Sequence, residues 1–328
     1  MSQLTSKELV RRVFSQKSVP RAPFLPLVSA LAAGLEQIPI REMYASPDLL
    51  ARGMWNAQKL FGYDGVVALC DSTLEAEACG CPLEWAADGP SVVGHLLAEP
   101  GTVGGLDIAQ LASQGRLPAA LEATRRLSLT AGKTTAVGAV VTGPLTLAQH
   151  LSGRVVDGLQ TGRLDEARDV LDLAGRIMVQ LARLYGELKV DLLIVCDPLL
   201  GRLDARLVPI LQPYFRPTWN VVGFYSAFSV LHTHCHTPEL YRALLSLGAD
   251  GVVAAPSAVE TDQDAGLACM GLALPLSMLA GDKDEIHHKV SGVLGSRVIG
   301  PTFLTTEAEV PAWVPAEKMH HLLEALRG

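Results

Sequence analysis

The sequence predicts an α/β fold, a (β/α)8 TIM barrel with an extra N-terminal helical segment, and three observations carry that expectation. Short β-branched runs alternate with longer amphipathic stretches along the whole chain, eight such runs can be counted, and no low-complexity linker interrupts them. The 328 residues therefore read as a single domain over 1–328, since α/β barrels commonly exceed the usual domain size without dividing.

The elements follow in order. The stretch 5–16 reads as the front helical segment, and the strand candidates lie near 24–28, 65–70, 135–141, 191–196, 228–234, 251–255, 273–278 and 297–300. Between them, 164–188 repeats Leu171, Ala174, Ile177, Met178, Leu181 and Leu184 at helical spacing, and Thr237 is an N-cap for a helix over 238–247. An open doubly wound sheet is the competing arrangement, but the chain lacks the glycine fingerprint that a dinucleotide demands.

Composition narrows the function classes. Apolar residues make up 49% of the chain and aromatic ones 5%, enough to bury a large core. The net charge of -7 leaves no basic stripe, so nucleic acid is not expected as a partner. No apolar run reaches membrane-spanning length and the first residues lack the apolar core of a signal peptide, so a cytoplasmic location is expected. The cysteines (Cys70, Cys79, Cys81, Cys196, Cys235 and Cys269) are scattered through a long chain and are expected to stay reduced.

The densest metal-binding chemistry is Val230-Leu231-His232-Thr233-His234-Cys235-His236, at the end of the fifth run. Imidazole nitrogen and thiolate sulfur are preferred ligands of zinc, whereas magnesium and calcium favour oxygen. In an extended strand His232, His234 and His236 share one side while Cys235 points to the other, so two ligands are easily met and a third needs a turn. The expectation is one zinc bound by His232 and His234, with Cys235 or His236 as third ligand.

A barrel places its chemistry at the carboxyl ends of its strands. There the sequence offers Asp71 after the second run, Thr142-Gly143-Pro144 after the third, Asp197-Pro198 after the fourth and Pro256 with Glu260 after the sixth. Asp71 and Asp197 are the expected catalytic carboxylates, facing the mouth, and Thr142 with Gly143 the expected cofactor-binding positions. Each has a simpler use as a turn or cap residue, and it is their convergence at one mouth that raises them as a set. Weaker motifs drop out. Gly132-Lys133-Thr134 lacks the earlier glycine of a phosphate loop, having Leu127 there, and Cys79-Gly80-Cys81 has no matching pair.

The stretches Tyr63-Asp64-Gly65-Val66-Val67, Asp71-Ser72-Thr73-Leu74-Glu75-Ala76-Glu77-Ala78, Val141-Thr142-Gly143-Pro144-Leu145-Thr146, Asp197-Pro198 with Gln212-Pro213-Tyr214, and Gly248-Ala249-Asp250-Gly251 resemble the uroporphyrinogen decarboxylase superfamily, and within it the methylcobamide:coenzyme M methyltransferase branch. That resemblance implies a (β/α)8 barrel, a zinc site for a thiol acceptor, and a methylcobalamin-type donor delivered by a corrinoid carrier protein. Pro23-Phe24-Leu25-Pro26-Leu27-Val28-Ser29 stands where the porphyrinogen enzymes carry an arginine-rich signature.

Two departures matter. The branch offers His-x-Cys after the fifth strand and a further cysteine after the last; here His232-Thr233-His234 aligns with Cys235 displaced by one, and Gly300-Pro301-Thr302-Phe303 carries no cysteine. Fewer thiolates make a less electron-rich zinc, so a tetrahydrofolate-type acceptor competes with a thiol. A metal-assisted lyase or hydrolase on the same barrel, using Asp71 or Asp197 for protons, and a non-catalytic corrinoid-binding relative are the alternatives.

Overall fold

The computed structural model describes residues 4–97, 106–259, 268–297 and 301–327. Seven parallel strands form one curled sheet in the order β1 (Gly65–Val67), β4 (Ala136–Thr142), β5 (Leu192–Cys196), β6 (Phe228–His232), β7 (Gly251–Ala254), β8 (Cys269–Leu274) and β9 (Thr302–Thr306). A short antiparallel hairpin, β2 (Leu83–Ala86) and β3 (Gly89–Val92), stands apart from it. Helices Leu117–Thr130, Leu164–Glu187, Gln212–Phe224, Pro238–Leu245 and Lys283–Arg297 lie between β1 and β4, β4 and β5, β5 and β6, β6 and β7, and β8 and β9. Parallel strands covered on both faces read as unbroken apolar runs, and β4, β5, β7, β8 and β9 are buried at every position.

The run near 24–28 does not form a strand. It contributes a single bridge, Phe24 to Leu304, because Pro23 and Pro26 have no N–H to donate to a ladder. Its backbone nevertheless joins the two edges of the sheet: Leu304 N donates to Pro23 O at 2.8 Å, Leu25 N to Leu304 O at 2.8 Å, and Asp64 N to Phe24 O at 2.9 Å. Two other runs are displaced. The one expected at 273–278 lies at Cys269–Leu274 and turns into the short 3-10 stretch Leu276–Ala280. The last, expected at 297–300, is Thr302–Thr306, while Arg297 ends a helix and 298–300 fall outside the described residues. A strand buried on both faces has no alternation to fix its phase, which is why both slipped.

The helix Ser6–Phe14 closes the amino end of the curl. Thr5 and Glu8 form a capping box at its start, and its apolar stripe, Val10, Val13 and Phe14, packs with Leu25, Val67, Val140, Ile194, Val230 and Phe303 inside the sheet. The Phe14 ring lies 5.3 Å from that of Phe228 and 5.1 Å from that of Phe303. On its polar side Lys7 and Arg11 reach Asp191 at 3.0 and 3.1 Å, and Ser6 donates to Asp64 at 2.8 Å, a carboxylate that also holds Arg21 at 2.6 Å. No helix among the described residues is long and apolar enough to cross a membrane.

Phe14→Ala should cost about 3–5 kcal/mol of stability, the range for truncating a buried aromatic ring. Urea denaturation checks it, and a midpoint within error of the wild type would mean that the helix is only draped over the sheet.

Candidate active site at the carboxyl ends of the strands

Opposite the plugged end lies a cleft of about 280 Å³, and the residues bordering it come from the ends of β1, β4, β5, β6 and β9 and from the hairpin. Four of the expected site residues meet there: Asp71, Thr142, His232 and His234. Three others do not border it, namely Asp197, Gly143 and Cys235.

His232 ends β6 and is 5% exposed. Its Nε2 lies 2.9 Å from the Thr306 carbonyl oxygen, which can only accept, so Nε2 carries the proton and Nδ1 keeps its lone pair. Burial pushes its pKa down to about 4, holding the ring neutral. His234 is exposed at the mouth, where partial burial lowers its pKa and the carboxylate of Glu307 works against that. Cys235 lies beyond the end of β6, where strand alternation no longer sets its side. Its thiol is buried, donates to Thr237 O at 3.6 Å, and is pushed up to about 12 by burial. Cys235 and His236 border a neighbouring hollow, which shares His234 and Glu307 with the main cleft. Among the described residues no three His, Cys, Asp or Glu side chains are arranged as a preformed metal cage.

Asp71 borders the cleft in a fixed pose. One oxygen accepts from Thr73 N and Oγ1 at 2.8 Å each, and the other pairs with Arg116 at 2.5 Å. Arg116 also reaches Glu77 at 2.7 Å and lies 4.8 Å from the ring centre of Trp85, so it ties the loop after β1 to the hairpin, whose Asp88, Gly89 and Pro90 overhang the cleft.

Asp197, expected to face the mouth, lies in the wall behind it. Its carboxylate is fully buried and accepts from Leu145 N at 2.9 Å, Thr146 N at 3.0 Å and Thr146 Oγ1 at 2.5 Å, the free donors at the start of helix Pro144–Ser152. Gly143 makes this possible, because a Cβ there would collide with the Asp197 side chain. Thr142 has the same kind of support: its N–H and hydroxyl both donate to Glu75, which burial raises to about 7, the level it also imposes on Asp197.

The sequence reading passed over four further side chains at the cleft. Glu309, three residues past β9, borders it and accepts from Ser29 Oγ, Ala30 N at 2.6 Å and Tyr44 Oη at 3.0 Å; burial raises it to about 7. Glu307 lies beside His234 and accepts from Leu276 N at 2.8 Å. Cys70 and Cys196 border the same cleft. Their signal was position at strand ends, and for Glu307 and Glu309 it was hidden by placing the last strand several residues early.

Glu75→Gln tests the buried carboxyls. The native pKa near 7 stands above the ordinary 4.5, so between those values the unfolded chain has released a proton that the native one keeps, and this group's contribution to stability falls as pH rises. Glutamine can accept from Thr142 N–H through its oxygen and donate its amide hydrogen to the Thr142 hydroxyl, which turns its own hydrogen to Ser72 O, all without ionising, so the variant should gain about 3 kcal/mol on the wild type between pH 4.5 and 8. Parallel stability curves for the two proteins would refute it. Asp197→Asn should do the reverse, losing about 1–3 kcal/mol because an amide hydrogen then faces Leu145 N–H or Thr146 N–H, as chemical denaturation would register.

Comparison with known proteins bears on the family and the fold. Two curated relatives, each named methylcobamide:CoM methyltransferase MtbA, from Methanosarcina acetivorans and Methanosarcina mazei, are 28% identical over 207 and 208 residues; each match covers 60% of this chain and 60% of the relative's own length. A solved methyltransferase from Methanosarcina mazei superposes with a TM-score of 0.86 over 99% of both chains at 19% identity, which shows a shared fold. A B12-independent methionine synthase from Shewanella sp. W3-18-1 superposes at 0.56, covering 94% of each chain at 12% identity. The sequence profile of uroporphyrinogen decarboxylase (URO-D) matches residues 5–328, so the chain belongs to that family.

Proposed function

We propose that this chain is a corrinoid-dependent methyltransferase, built as one (β/α)8 domain over 1–328 with the segment 23–27 as its first stave. It takes a methyl group from a methylcobalamin-type donor, presented by a corrinoid carrier protein, and passes it to a thiol or tetrahydrofolate-type acceptor in the cleft. The observation that carries the reading is the match to two methylcobamide:CoM methyltransferases, joined to a strand-end cleft into which His232 presents a neutral ring.

The residues partly fit a zinc ion. Metal-binding imidazoles usually donate their second ring N–H to a carbonyl or carboxylate, as His232 does to Thr306, so His232 through Nδ1 and His234 are the nitrogen donors. Cys235 borders the neighbouring hollow and not the cleft, and its buried thiol is engaged with Thr237 O, so it is not part of this donor set. Bound zinc would supply Lewis acidity that lowers the pKa of a thiol.

The chain's own groups divide the remaining work. Transfer makes a bond from the acceptor's sulfur or nitrogen to carbon and breaks the cobalt–carbon bond, whose electron pair stays on cobalt, so the acceptor must shed its proton. Glu309, raised to about 7, can take that proton near neutral pH, and Asp71, fixed by Arg116, orients the acceptor. Asp197 is a positioning residue that acts through helix Pro144–Ser152, and Thr142 with Gly143 shapes the wall where a corrinoid face would rest.

Visible spectroscopy distinguishes methylcobalamin from cob(I)alamin. Under reducing conditions, mixing the protein with methylcobalamin and either a thiol or tetrahydrofolate should convert the first spectrum to the second, and Asp71→Asn should slow that conversion by about tenfold or more. An unchanged cobalt–carbon spectrum with every acceptor, zinc present, would defeat the methyltransferase reading.

A further inference from the structure

The charge around the cleft is one-sided. Asp71, Asp88, Glu307 and Glu309 border it, and among the described residues no lysine or arginine does. The segments 98–105 and 260–267, which fall outside the described residues, contain no lysine or arginine in their sequence. Arg116 pairs with Asp71 from behind the border and balances one of the four acids; no cation bordering the cleft balances the other three. Arg202, whose charge acts on His234, is exposed and is not part of the border.

Backbone donors, the other means of holding an anion, are engaged within the protein. Leu145 N–H and Thr146 N–H, which open helix Pro144–Ser152, donate to Asp197, while Ala30 N–H donates to Glu309, Thr73 N–H to Asp71 and Thr142 N–H to Glu75. Acceptors keep capacity to spare. Ser29 Oγ, Ala30 N and Tyr44 Oη all converge on Oε1 of Glu309, and no donor among the described residues reaches its Oε2. Glu307 accepts from Leu276 N through Oε1 alone. His232 borders the same cleft at 5% exposure, and its Nδ1 is the ring position that the bond to Thr306 leaves free, an independent sign that a ligand belongs there.

We infer that the methyl acceptor is a small thiol carrying an ammonium group, and that Glu307 and Asp88 select it by charge. The inference rests on the methyltransferase reading above and narrows its acceptor. An ammonium tail entering the cleft meets carboxylates that have no counter-charge at the border, whereas a sulfonate or carboxylate tail faces the same acids with no guanidinium to receive it and with the N–H groups named above already engaged. Asp88 lies in the turn between β2 and β3 and Glu307 directly follows β9, so the two selecting carboxylates reach the cleft from separate elements. The ammonium group takes no part in the transfer. The sulfhydryl proton passes to Glu309, a carbon–sulfur bond forms as the cobalt–carbon bond breaks, and the electron pair of that bond stays on cobalt.

Cysteamine, mercaptoethanol and mercaptoethanesulfonate share one carbon skeleton and differ in carrying a cationic, a neutral and an anionic tail. With methylcobalamin as donor and the full-length protein, kcat/KM should fall in that order, cysteamine exceeding the sulfonate by on the order of a hundredfold. The ratio of the first to the last should drop by about tenfold in Glu307→Gln and again in Asp88→Asn, a comparison in which the intrinsic reactivity of each thiol cancels because the same pair is used throughout. Each single variant is read by itself, so a poorly folded double variant leaves the test intact. Binding of the three thiols without any methyl donor, followed by saturation-transfer NMR, should show the same order. A sulfonate thiol that binds or reacts as well as cysteamine, a ratio unchanged in both variants, or faster transfer to tetrahydrofolate than to any of the three thiols would overturn the inference. If the binding order appears but no thiol is methylated, the proposed activity fails while the selection of an ammonium ligand by this cleft stands.

Discussion

The Phe14 ring, wedged between Phe228 and Phe303, decides which end of the curled sheet is open. A curled parallel sheet has an interior that must be filled, and here a helix from the front of the chain fills its amino end with Val10, Val13 and Phe14. Charged anchors hold that helix from outside, Asp64 through Ser6 and Asp191 through Lys7 and Arg11, both carboxylates lying just before strands. With one end sealed by apolar packing, polar side chains at the other end face a cleft rather than a core. Carboxylates at the amino ends therefore serve attachment, and those at the carboxyl ends are available to chemistry.

At the carboxyl ends the buried acids are not equivalent. Asp197 spends its hydrogen-bonding capacity on the first turn of helix Pro144–Ser152, and Glu75 accepts from the backbone and hydroxyl of Thr142. Both are sealed behind the wall, so a pKa raised by desolvation tells of stored electrostatic cost and not of proton transfer to a ligand. Glu309 shares their pKa near 7 but borders the cleft, and that position is what sets it apart as the acid proposed to take the acceptor's proton.

Much of the fold was legible because apolar runs separated by helical periodicity require strands somewhere in each run. Their exact phase was not, since β8 and β9 are buried on both faces and carry no alternation to mark a start. That small slip had a functional consequence. Ending the last strand at 300 pointed to Gly300 and Pro301, whereas the true end at Thr306 delivers Glu307 and Glu309 to the mouth. The place of Cys235 was hidden because β6 ends at His232 and strand alternation does not reach it, whereas the histidine cluster was legible by composition. The presence of both Cys70 and Cys196 at the cleft was not, because residues 126 positions apart meet only once β1, β4 and β5 lie side by side.

Arg116 shows how a single side chain couples the parts of such a mouth. Its planar fork meets Asp71, Glu77 and Thr73 while its face lies on Trp85, so the strand-end loop, the short helix Leu74–Ala78 and the overhanging hairpin share one support. A lysine could supply the charge but only a point contact, leaving Trp85 with the more distant Arg41, 5.7 Å from its ring centre. The guanidinium also balances Asp71, which would otherwise be a buried, uncompensated carboxylate at 4% side-chain exposure. Because the ion pair, the stack and the hydrogen bonds converge on one residue, the pose of Asp71 and the height of the hairpin over the cleft cannot vary independently. The shape of the cavity is thus tied to the same contact that fixes the orientation of Asp71 at its border.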